Sequence, residues 1–134
     1  MTESTLNRVK IFHETYGLPV KGTPDISDPK TNALRVNLLE EEVQELKDAL
    51  AAGDMVEVLD ALTDIQYVLD GAYLSFGLSH LKETAFAEVQ RSNMSKLGED
   101  GNPIRRESDG KVMKGPNYSA PDLKQFLNDQ SEAA

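Results

Sequence analysis

The chain has 134 residues, no cysteine, two histidines (His13 and His80) and a net charge of −9 from 23 acids against 14 bases. Its length suits one domain with its own core, and the missing cysteines exclude a disulfide framework, a thiolate zinc site and a cysteine nucleophile. The acidic balance makes double-stranded nucleic acid a poor partner, because Lys and Arg on phosphates supply that affinity. No apolar run approaches the roughly 20 residues needed to cross a bilayer. The first residues lack the basic-then-apolar order of a leader. A cytoplasmic protein without a membrane partner is expected.

Residues 4–16 form a first predicted helix, with Val9, Phe12 and Tyr16 at helical spacing, ended by Gly17-Leu18-Pro19. Glycines and prolines make residues 17–30 a loop. Asp28 is an N-cap and Pro29 a first helical residue, so a second helix runs from there to Ala52 and stops at Gly53. Asp54 caps a third helix reaching Phe76, stopped by Gly77, and Ser79 caps a fourth running to Met94. Residues 97–119 hold four glycines and two prolines and read as a long loop, with a short hairpin at Glu99-Asp100-Gly101-Asn102-Pro103. Pro121 to Leu127 can make a short last helix. The expected fold is all-α: a bundle of four main helices with a long C-terminal loop, in a single domain over residues 1–134.

Charge is unevenly placed. Between Glu40 and Asp70 there are ten acids and one base, whereas Arg91 to Lys114 holds six bases and four acids. At about 100° per residue, Leu38, Leu39, Val43, Leu46, Ala49 and Leu50 fill one arc of the second helix. Glu42 falls inside that arc, with Glu41 and Glu45 at its edge. On the third helix, Val58, Ala61, Leu62, Ile65, Val68, Leu69 and Ala72 make the apolar arc, and Glu57, Asp60 and Asp64 line its margin. A core-facing carboxylate is costly unless neutralised, paired or bound to a cation. Glu42/Glu45 and Glu57/Asp60 are each three apart, hence neighbours on their helices. Two such helices side by side gather four carboxylates, and all-oxygen ligands suit Mg²⁺ or Mn²⁺. Arg35, one heptad before Glu42, is the competing explanation, as its salt-bridge partner.

Leu39-Glu40-Glu41-Glu42-Val43-Gln44-Glu45-Leu46 followed by Glu57-Val58-Leu59-Asp60 resembles the paired motif of the all-α nucleoside triphosphate pyrophosphohydrolases, the MazG-like group. The eleven residues between Glu45 and Glu57 are a short spacer for that group, which calls for a tight turn. Val9 to Pro19, Arg91 to Lys96 and Gly110 to Tyr118 look like its phosphoribosyl-ATP pyrophosphohydrolase-like branch. The resemblance implies Mg²⁺-dependent hydrolysis of a nucleoside triphosphate to the monophosphate and pyrophosphate, in a homodimer or homotetramer. Wide apolar arcs left uncovered in a single copy agree with such self-association. Carried onto this sequence, the ligands are Glu42, Glu45, Glu57 and Asp60, and Glu41 orients or deprotonates the water. Arg91, Asn93, Lys96, Lys111 and Lys114 are expected to contact substrate, with the loop lysines closing over it. Phe12 and Tyr118 can stack on a base or fill the core, and His13 is expected on the helix surface. Two other readings stay open: a phosphoribosyl-ATP pyrophosphohydrolase, and a non-catalytic helical module that self-associates.

Overall fold

The computed structural model describes residues 3–127. Its contacts gather into two compact units, with the boundary between His80 and Leu81.

The first unit is three helices: α1 (Thr5–Tyr16), α2 (Pro29–Ala52) and α3 (Met55–Ser75). Local chemistry sets each end. The Ser4 side chain accepts from the Asn7 N–H, and Gly17 closes α1 in the left-handed region at φ 68°. Asp28 accepts from the Lys30 N–H with Pro29 in the first turn, and Asp54 accepts from the Glu57 N–H. Gly53, at φ 67°, donates to the carbonyls of Ala49 and Leu50. The Gly53-Asp54 turn leaves no slack, so α2 and α3 fold back as an αα-hairpin and pack along each other. Helix α1 packs on α3. The connecting loop is tied down by the Lys21 N–H on Leu74 O, at 3.0 Å, and the Asp25 N–H on Phe76 O, at 2.9 Å.

The core mixes small apolar residues (Val9, Ala49, Ala61, Ala72 and Leu74) with buried polar ones: His13, Arg35, Asp70 and Ser75. His13 therefore departs from the expected surface position, with only 2% of its surface exposed. It lies one turn from Val9 on the face that α1 turns to α3, so tertiary packing overrides its polarity. Its Nδ1 donates to Pro19 O at 2.9 Å. Burial lowers its pKa despite that bond, and the Arg35 charge lowers it further. The ring is thus neutral, with Nε2 an acceptor. Arg35 likewise turns away from the role of Glu42 partner and lies with His13 over Gly71. A Cβ added at Gly71 would sit 2.6 Å from Arg35 Nη1 and 3.0 Å from His13 Nε2.

The second unit holds α4 (Lys82–Met94) and a two-stranded antiparallel hairpin, β1 (Ile104–Arg105) and β2 (Val112–Met113), with Ile104 opposite Met113. Two expectations change. Ser79 opens a 3₁₀ turn, Ser79–Leu81, and α4 begins at Lys82 without a side-chain cap. The hairpin turn lies at residues 106–111, where the Arg106 N–H bonds Lys111 O and Gly110 takes φ 75°. The Glu99–Pro103 stretch instead closes on itself before β1, through the Gly98 N–H on Asn102 O at 2.8 Å. Residues 124–127 are helical, a later start than Pro121.

Gly71→Ala tests the packing. In an exposed helix interior Ala is favoured over Gly by about 1 kcal/mol. Here the methyl group must displace a buried guanidinium and imidazole, an overpacking cost of about 1–3 kcal/mol. The expected outcome is a lower melting temperature, read by circular dichroism. An increase would show that Arg35 and His13 move aside freely.

Candidate functional site

The α2–α3 hairpin brings carboxylates from both helices to one place. Glu42, Glu45 and Asp64 each offer an oxygen within 4.8 Å of the others. Glu42 and Asp64 are half-buried and Glu45 is exposed. Packing makes the cluster costly. Burial pushes the Glu42 carboxyl up to about 7, helped by a hydrogen bond with Glu45 and by the negative charges of Glu45, Asp64 and Asp60. Asp64 is raised first by burial and then by the charges of Asp60 and Glu45. Glu42 Oε2 is buried without a hydrogen-bond partner. An orphaned anionic oxygen within a set of oxygen donors matches the chemistry of a hard divalent cation.

Asp64 stood in the stripe along α3 but outside the ligand set carried over from the family motif. That motif ends at Asp60, whereas Asp64 lies one turn further along the same face. Asp60 is exposed and acts on Glu42 and Asp64 by charge. Glu57 stands nearer the Gly53 turn, where it lines a shallow hollow of about 350 Å³ with Glu45, Asp48 and Asp54. The carboxylates thus form a track along the hairpin, tightest at Glu42, Glu45 and Asp64. Glu41 is exposed on α2.

The remaining candidates lie in the second unit. Asn93 and Lys96 line a cavity of about 410 Å³ with Met94, Leu97, Pro103 and Val112. Arg91 is engaged inside the unit. Its Nε and Nη2 donate to the two oxygens of Glu88, at 2.8 and 3.0 Å, and Nη1 donates to Ser119 Oγ at 3.1 Å. Glu88 also accepts from the Asp122 N–H, and Arg91 together with that bond holds its carboxyl down to about 2. Lys111 is exposed in the hairpin turn, and the Lys114 ammonium sits 4.8 Å from the centre of the Tyr118 ring.

The raised Glu42 pKa has a defined sign. The folded state holds this proton more tightly than the unfolded chain does, whose ordinary value is 4.5. Its unfavourable contribution is absent below about pH 4.5, grows as the pH rises, and is complete above about pH 7. In chelator, Glu42→Gln should raise the melting temperature at pH 8 and change it little at pH 4. Equal melting temperatures at pH 8 would show that Glu42 carries no strain.

The sequence pattern of the phosphoribosyl-ATP pyrophosphohydrolase family matches residues 9–93. A relative from Acanthamoeba polyphaga mimivirus, the uncharacterised protein L479, is 40% identical over 72 residues. The match covers 51% of this chain, which spans 29% of the length of that relative. A crystal structure of a proposed NTP pyrophosphohydrolase from Exiguobacterium sp. 255-15 is 27% identical, with both chains covered in full at a TM-score of 0.49. The family pattern takes in α1 from Val9 onward, the acidic hairpin and nearly all of α4, and the chain belongs to the phosphoribosyl-ATP pyrophosphohydrolase family.

Proposed function

We propose that the chain hydrolyses nucleoside triphosphates between the α and β phosphates, giving the monophosphate and pyrophosphate with the help of Mg²⁺ or Mn²⁺. The observation that carries this reading is the convergence of Glu42, Glu45 and Asp64 within 4.8 Å, with one buried carboxylate oxygen lacking a partner. Family membership supports the same chemistry. Glu42, Glu45, Asp60 and Asp64 are the proposed ligands, with Glu57 at the outer end of the track. A bound divalent cation supplies charge neutralisation for the triphosphate and a more acidic water.

The chain's own residues do the rest. Water adds to the α-phosphorus, the bond to the pyrophosphate oxygen breaks, and the water proton passes to a nearby base. Glu41, adjacent to the cluster on α2 and in contact with solvent, is the proposed acceptor. Lys96, Lys111 and Lys114 are proposed as counter-charges for phosphate oxygens, on charge alone. Residues Leu50, Met55, Val56 and Leu59, each more than 60% exposed around the hairpin turn, support self-association as a dimer or tetramer.

Pyrophosphate release from a panel of NTPs and dNTPs with Mg²⁺ tests the reading. Glu42→Gln, Asp60→Asn and Asp64→Asn should each lower turnover by at least 100-fold with helical content unchanged, about 2.7 kcal/mol of transition-state stabilisation. Release from phosphoribosyl-ATP alone would select the histidine-synthesis substrate instead. No release from any triphosphate would leave the self-associating module.

A further inference from the structure

His13 stands apart from the carboxylate chemistry and joins four parts of the first unit. Its ring Nδ1 donates to Pro19 O at 2.9 Å, and its own carbonyl accepts from the Leu18 N–H at 2.8 Å, so the chain leaving α1 folds back onto this one residue. Its Nε2 lies against Gly71 on α3, where Arg35 of α2 brings Nη1 to the same spot. We propose that His13 is an acid-released latch: taking up a proton at Nε2 expels the ring from this contact and frees α1 from the α2–α3 hairpin.

The cluster suits a neutral ring. The charged groups about it are Arg35 from α2, Asp70 beside Gly71 on α3, and Lys21 in the loop. Asp70 is fully buried and accepts from Gln66 Nε2 at 3.1 Å, and Lys21 pairs with Asp25 at 3.0 Å. On α1 itself, Arg8, Lys10 and Glu14 are exposed. An imidazolium would set a second positive charge and a second donor against the Arg35 guanidinium, which is buried with its Nε already lacking a partner. Burial first, and then the Arg35 charge, hold the ring below its ordinary 6.5 against the opposing effect of the Pro19 bond. The open chain therefore binds the proton more tightly than the closed one. Docking of α1 is at full strength above about pH 6.5 and weakens as the pH falls below it.

The surrounding bonds confine the opening to α1. Val9 and His13 are the buried residues of this helix, so its release uncovers little apolar surface. Beyond the latch the loop is anchored separately, by the Lys21 N–H on Leu74 O and the Asp25 N–H on Phe76 O. Those backbone bonds do not titrate, so they persist when His13 takes up its proton, and Pro19 to Lys21 become the hinge. The α2–α3 turn is held by Gly53 and Asp54, through bonds that also exclude His13. Release parts Phe12 from Tyr67, whose rings meet edge-on at 5.6 Å.

Nuclear magnetic resonance on the full ¹⁵N-labelled chain tests the latch. Imidazole nitrogen shifts follow protonation of His13, and amide exchange follows opening at Phe12 and His13, with Ala49 and Ala61 reporting on the hairpin. The ring should be the Nδ1–H tautomer and titrate below 6.5. Between about pH 7.5 and about pH 5 the opening constant of α1 should rise, by at most about thirtyfold, the limit set by an open-state value of 6.5. Ala49 and Ala61 should keep their protection. His13→Gln, neutral at both pH values, should abolish the rise, and Arg35→Gln should shrink it by moving the titration toward 6.5. A ring that titrates at or above 6.5 would overturn the latch, as would a pH-dependent rise that survives in His13→Gln. So would loss of protection at Ala49 and Ala61 in step with α1, since acid would then act on the whole unit. The wild-type titration and exchange decide the case even where a variant fails to fold.

Discussion

The repulsion between carboxylates carried onto one face of a packed helix hairpin governs this chain. Helices α2 and α3 meet through a two-residue turn and pack along each other, which brings an oxygen of each of Glu42, Glu45 and Asp64 within 4.8 Å of the others. Withdrawal from water and neighbouring charge together lift Glu42 to about 7. Like charges drawn together and partly out of water are destabilising unless they are neutralised, paired or bound to a cation. A bound cation is the compensation proposed for this cluster, and the proposed chemistry follows from the charge that such a cation would supply.

The rest of the first unit keeps the hairpin in register. Arg35 and His13 lie over Gly71, which places α1, α2 and α3 around one buried polar contact. Only a residue without a side chain lets the guanidinium approach α3 so closely. The same arrangement removes the cation that could have quenched Glu42 from within α2. Helix α3 carries Asp60 and Asp64 along one margin and packs on α1 with another face. In the second unit, the Glu88–Arg91 pair fixes the segment around Ser119 and Asp122 to α4. That contact gives Arg91 a structural task.

The ends of the first three helices were legible because capping is local. Ser4, Asp28-Pro29, Gly53 and Asp54 act within one turn of themselves, and no distant contact is needed to read them. The acidic hairpin was legible for the same reason, since period and spacing put Glu42 on the wrong side of α2. Asp64 was half-legible: its stripe was visible, but its closeness to Glu42 depends on how far α3 slides along α2. His13 was misplaced because its burial comes from Arg35, Gly71 and the Pro19 carbonyl, all remote in sequence or brought in by the loop. The hairpin was displaced because two-residue strands carry no alternation. Asp100 also stabilises a competing turn, accepting from the Asn102 N–H at 3.0 Å.

Mn²⁺ titration followed by electron paramagnetic resonance tests the central claim most directly, because it counts bound ions without invoking a substrate. The account predicts saturable loss of the free-ion signal at a small whole number of ions per chain. Mg²⁺ should compete with that binding, and Asp64→Asn should weaken it at least tenfold. Weak binding that never saturates, or binding unaffected by Asp64→Asn, would contradict a metal centre built on Glu42, Glu45 and Asp64.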